Sequence, residues 1–227
     1  MWEPYHPITY FGHVIAGVIG LAAGLVALSA KKGSPLHIAA GRTFALTMVI
    51  AVVTTLIFLF DRERQPLIFI LALGAFYLVS SGVLSFRNQK PYAKALERVL
   101  IVIPLAIFLY SLFAISRVLV GGSPAQILGP LLFAALFGGL FLGDVRVLRS
   151  RPTARVAWVK RHLLRMVLAF GFATMALLRL GLDVGLPLAV TVIVPVVLAL
   201  LVSLYFTRRV SAGSLEENQP PLAQDAP

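Results

Sequence analysis

The sequence predicts an all-α, polytopic transmembrane helical bundle of about seven spans, with the N-terminus outside and the C-terminus in the cytoplasm. Three observations lead there. First, 59% of the 227 residues are hydrophobic, only 13% are charged, and the mean hydropathy is +0.92. Soluble domains average about 45–50% apolar, so the excess here needs lipid to cover it. Second, the apolar residues fall in continuous runs near the roughly 20 residues that a helix needs to cross a bilayer core, without the period-two alternation of barrel strands. Third, the basic residues are concentrated on alternate loops.

Taken in order, the spans fall near 8–30, 36–60, 66–86, 98–119, 125–147, 162–182 and 186–206. The first follows Met1-Trp2-Glu3-Pro4-Tyr5-His6-Pro7, which has no Lys or Arg and so lacks the basic region of a cleavable signal peptide; it is expected to be retained. Pro35, Pro66, Pro124 and Pro187 stand near the starts of four spans, where a missing backbone N–H costs least. Pro104 and Pro195 lie inside the fourth and seventh, which predicts kinks supported by neighbouring helices. The loop Arg87–Arg98 predicts a short interfacial helix with Tyr92 and Leu96 toward lipid. One transmembrane domain is expected over 1–209, followed by a disordered cytoplasmic tail over 210–227, which is polar and Pro-rich.

Orientation follows from Lys and Arg, which are retained on the cytoplasmic side. One side gathers Lys31, Lys32, Arg42, Arg87, Lys90, Lys94, Arg98, the arginines and lysine of 146–165, Arg208 and Arg209. The other holds Arg62, Arg64, Arg117 and Arg179. The acids divide almost evenly, so the whole net charge of +11 is a topology signal and needs no nucleic-acid partner. The expected partners are the bilayer itself and anionic lipid headgroups on the cytoplasmic face, drawn to the Arg-rich loop 146–161. Oligomeric state is not legible.

Cysteine is absent, which excludes disulfides, thiolate metal centres, iron–sulfur clusters and thiol catalysis. No GxSxG, HExxH, P-loop or dinucleotide motif stands where its chemistry needs it, so soluble-type enzyme chemistry has no foothold. Small residues suggest where helices pack: Gly17, Gly20, Gly24 and Ala27 form one stripe of the first span, with His13 on the same stripe and so facing protein. Gly139 and Gly143 form a second pair just before Asp144.

An ionisable residue inside a span is a functional candidate by default. His13 lies near the outer end of the first span, while His37, Arg42, Asp144, His162 and Arg165 share the cytoplasmic end at similar depth. Two readings stay open. In one, Arg42 and Arg165 reach to the headgroups, Asp144 pairs with one of them, and the histidines are interface residues. In the other, Asp144 and the arginines hold His37 and His162 in a metal, haem or proton-handling site. The outer cluster Asp61-Arg62-Glu63-Arg64 and the Arg179/Asp183 pair read as surface charges, and Pro7 weakens any pairing of His6 with His13.

Two stretches resemble an uncharacterised family of bacterial polytopic inner-membrane proteins, a domain of unknown function. One is His13-Val-Ile-Ala-Gly17-Val-Ile-Gly20-Leu-Ala-Ala-Gly24 continuing through Lys31-Lys-Gly33 to His37 and Gly41-Arg42. The other is Gly143-Asp144-Val-Arg146 followed by Trp158-Val-Lys-Arg161-His162-Leu-Leu-Arg165-Met166. The resemblance implies that His13, His37, Asp144, His162 and Arg165 fall on the family's recurrent polar positions, and it implies no activity. Three functions therefore compete: a membrane protein binding a metal or b-type haem at the His/Asp/Arg cluster, a small proton-coupled transporter, and a structural or assembly subunit of a membrane complex.

Overall fold

The computed structural model describes residues 7–60, 66–87, 90–150, 152–182 and 185–217. Its elements are α1 (Pro7–Ser29), α2 (Pro35–Phe60), α3 (Pro66–Leu84), α4 (Pro91–Leu100), α5 (Val102–Gly121), α6 (Leu128–Arg149), α7 (Arg155–Ala176) and α8 (Leu188–Glu217), with short 3₁₀ turns after α3 and before α6. A single π turn, Leu177–Gly181, closes α7. No strand occurs among the described residues. Seven helices are long and apolar enough to cross a membrane, α4 and α5 counting together as one span. The all-helical, multi-pass character read from the sequence is therefore what the chain adopts.

Proline sets several of these starts. Pro7, Pro35, Pro66 and Pro91 are each the first residue of their helix, where the N–H they lack would have no intrahelical partner. Pro104 acts differently from the expected mid-span kink. Its ring and missing N–H disfavour a bond to the carbonyl of Leu100, and α4 ends there, with Ile101 as the joint and α5 beginning at Val102. Because Ile101 keeps helical dihedrals, φ −63° and ψ −20°, the chain runs on across the joint. The predicted helix over 87–98 is thus α4, with Tyr92 and Leu96 both exposed. Pro195 does lie inside α8, and its carbonyl is met closely by Gly171 of α7.

The sixth predicted span starts later than its helix, because the polar turn Trp158-Val-Lys-Arg-His162 is held in α7 by its buried partners. At the other end, α8 continues to Glu217 into the segment expected as tail, since each residue added to a formed helix gains a bond without a new nucleus. The remainder of that segment lies outside the described residues, as do His6, the 61–64 cluster and Asp183.

α3 and α7 form the centre. α3 packs on α2, α5 and α7, while α7 also meets α1 and α8, and α5 pairs with α6. Tyr77, Leu78, Leu168, Ala169 and Met175 are wholly buried along their facing sides. Lipid tails are as apolar as these side chains, so what holds such helices together is close fit. Gly74 provides it: a Cβ there would lie 2.7 Å from the Phe172 ring and 2.9 Å from Phe137. Those two rings meet edge to face at 5.8 Å, with Phe133 also against both. Outward, α1, α2, α5 and α8 expose Val, Leu, Ile and Phe, as lipid contact requires.

The glycine stripe of α1 is used in part. Gly20 and Gly24 are buried, and a Cβ would fall 2.8 Å from Thr47 Oγ1 and 2.5 Å from Phe170 respectively, whereas Gly17 faces open space. The packing expected at Gly139 and Gly143 is not made among the described residues. Both face open space, and the close approach on α6 is at neighbouring Gly138, where a Cβ would lie 3.0 Å from Phe108. A shift of one residue turns a helix by about 100°, which puts Gly139 on the outward face with Leu131 and Leu142.

Candidate functional site

The C-terminal ends of α3 and α6, the N-terminal half of α7, and α4 converge at one end of the bundle. Trp158, Arg161 and Arg165 repeat at three and four residues along α7, so they share a face. Two arginines one turn apart repel unless acids stand between them, and two acids do. Asp144 of α6 accepts on Oδ1 from Arg165 Nη2 at 2.6 Å and from Arg161 Nη2 at 3.1 Å. Its Oδ2 accepts from the hydroxyl of Tyr77. Glu97 of α4 accepts on Oε1 from Arg161 Nη1 at 2.6 Å, and that nitrogen is also 3.3 Å from Ser85 Oγ.

Two positive and two negative charges balance here, in a place where an unbalanced one is costly. Glu97, Asp144 and Arg165 keep only 4%, 5% and 3% of their surface. Arg165 lies 4.7 Å from the centre of the Tyr77 ring, and Arg161 lies 5.7 Å from that of Trp158, whose indole N–H donates to the Pro152 carbonyl at 2.9 Å. Not every donor is used: Arg165 Nε and Nη1, Arg161 Nε and Ser81 Oγ are buried without a hydrogen-bond partner among the described residues.

The histidines stand apart from this network. His162 Nδ1 donates to the Gly82 carbonyl at 2.9 Å, beside the last turn of α3, and its ring lies 4.5 Å from that of Phe86. His37 Nδ1 donates to the Ala27 carbonyl at 2.9 Å, in the last turn of α1. Each imidazole thus satisfies a carbonyl that its own helix end leaves unbonded, at the negative pole of that helix. Lys32 does the same for α1, its Nζ reaching Ala27 O at 3.1 Å and Leu28 O at 2.6 Å while lying 4.6 Å over the Phe206 ring; desolvation there pushes its ammonium below the ordinary lysine range.

Compared with protein-family models, curated proteins and solved structures, the chain matches none. The site must be judged on its own geometry.

Of the residues predicted to meet, Asp144 and Arg165 do. Arg42 does not: it is exposed on α2 and makes none of the ion pairs among the described residues, because its helix position turns it away from α7. Asp144 bonds neither histidine, since both its oxygens serve the arginines and Tyr77. His13 faces protein as expected, its Nδ1 3.1 Å from the Ala51 carbonyl and 3.0 Å from Thr54 Oγ1 of α2, far along the helices from the network. Glu97, Arg161 and Tyr77 were missed as site residues. A signal existed for Glu97, which is the only acid in a basic helix and shares the i, i+4, i+7 stripe of Ala93 and Leu100, all three buried. Tyr77 gave none, being one more aromatic in an apolar run.

Proposed function

We propose that this chain is a multi-pass protein of the bacterial cytoplasmic membrane, its N-terminus outside and its basic end in the cytoplasm, and that His37 and His162 form a ligand pair for haem iron or an open-coordination metal ion. The orientation rests on the one-sided Lys and Arg. The ligand reading rests on one observation: both imidazoles commit Nδ1 to a backbone carbonyl, in the last turns of α1 and α3, which leaves two Nε2 lone pairs on different helices. A ligating histidine is ordinarily held in this way, its second nitrogen donating to a carbonyl or carboxylate.

The donor set favours haem over a closed metal centre. Among the described residues no three His, Asp or Glu side chains are grouped to hold an ion, and a structural zinc site takes four ligands. A haem would bring four nitrogens of its own, so His37 and His162 alone could hold its iron. When bound it would supply one-electron chemistry. The protein's share would be to fix both rings through Gly82 O and Ala27 O, while the Glu97/Arg161/Asp144/Arg165 network keeps its own charges paired.

The test is direct. Purified in mild detergent with haem supplied during expression, the protein should show a Soret band that His37→Ala and His162→Ala each abolish without loss of helical content. A colourless, metal-free protein of native helicity would remove the reading. A small proton-coupled transporter is the second reading, favoured by the ionised quartet and the unused donors of Arg165 inside the bundle. Uptake in proteoliposomes that Asp144→Asn leaves unchanged would count against it.

A further inference from the structure

We propose that the outward side of α4 is a binding surface for anionic phospholipid headgroups, with Lys90, Lys94 and Arg98 as its cations; this deepens the membrane reading above and rests on it. Lys94 and Arg98 stand four residues apart and share one side of α4, and Lys90 is the exposed residue that caps its start. Tyr92, Leu96 and Val99, exposed at 48%, 48% and 67%, line a second side, and Ala93, Glu97 and Leu100 line the third, against the protein. A helix with separate apolar and basic faces is suited to the boundary between acyl chains and headgroups.

Length places it there. The continuous span Pro91–Gly121 has 31 residues, on the order of 46 Å at 1.5 Å each, against a hydrocarbon core of roughly 30 Å. The surplus is about the length of α4. Charge commits it to an anionic occupant, because the one acid of α4 is withdrawn from the surface. Glu97 is turned inward and held by Arg161 at 2.6 Å, so the outward sides present cations and apolar groups alone. Arg87, exposed at the end of the preceding turn, adds a fourth cation. The occupant is a headgroup and not free phosphate, since the apolar side next to the cations matches the acyl chains that come with a headgroup.

The experiment uses the full chain reconstituted in vesicles of phosphatidylcholine with or without phosphatidylglycerol, re-extracted in mild detergent, with retained lipid counted by native mass spectrometry. The native chain should retain phosphatidylglycerol selectively, and added inorganic phosphate should not displace it. The triple variant Lys90→Gln/Lys94→Gln/Arg98→Gln should lose about fivefold of that selectivity per residue changed. A matched variant of exposed residues outside both α4 and the 146–161 loop, Lys31→Gln/Arg208→Gln/Arg209→Gln, should keep it. Equal loss in both variants, no loss in the first, or displacement by phosphate would overturn the α4 surface. Failure of the native chain to enter vesicles of either composition would overturn the membrane reading with it.

Discussion

Arg165 and Asp144 meet at 2.6 Å with almost no surface left to solvent, the one midway along α7 and the other near the end of α6. Removing one partner leaves the other as an unbalanced buried charge, which typically costs about 3–5 kcal/mol. Asp144→Asn should therefore lower the detergent melting temperature sharply. Asp144→Leu with Arg165→Met should be the milder change, because Arg161 and Glu97 remain as a neutral pair. A double variant no more stable than the single one would show that the two residues are not coupled.

Close helix approach gives a second contrast. Gly24→Val puts a side chain into the Phe170 ring and should destabilise by about 1–3 kcal/mol, the usual range for overpacking. Gly139→Val, facing open space on α6, should leave the melting temperature within error. Thermal shift in one detergent, run on both, decides it.

Because the chain has no cysteine, single-cysteine labelling reports topology without background. Lys31→Cys and Arg155→Cys should react with an impermeant thiol reagent only after the cytoplasmic face is opened, and Arg62→Cys in intact cells. The reverse pattern would invert the proposed orientation.

Glu97 ties α4 to α7 through Arg161. Glu97→Ala should raise amide exchange over 91–100 while exchange in α1 and α2 stays as it was, since the network's ion pairs among the described residues join α4, α6 and α7. Uniform acceleration across the bundle would mean that the pair holds the whole fold and not α4 locally.

Much of the architecture was legible because lipid leaves the backbone little choice. Runs near 20 apolar residues bounded by Pro35 and Pro66 have no alternative to helix in a bilayer. That Asp144 pairs with an arginine was legible because both charges are expensive where they sit, but which of Arg42 and Arg165 it takes was not. What was not legible depends on rotation about helix axes. Hydropathy marks a helix without saying which side faces protein, so Gly139 and its neighbour Gly138 looked alike, and Arg42 looked as well placed as Arg165. Near-uniform apolar composition in α2 and α3 offers no stripe to orient them, whereas α4, short and mixed, shows its three faces in the sequence.

The order in which the counter-charges appear along the chain has a consequence for synthesis. Glu97 and Asp144 precede Arg161 and Arg165 in the sequence, so during insertion both acids reach the membrane before either arginine has left the ribosome. α1 and α2, joined by Gly20 and Gly24 against Thr47 and Phe44, can settle as a hairpin at once. α4 and α6 cannot be neutralised until α7 arrives. Chains truncated before residue 155 should therefore be unstable in cells and cleared by membrane proteases, while the first hairpin alone persists, which pulse-chase measurement can establish. The quartet makes completion of α7 the point at which the newborn protein escapes surveillance.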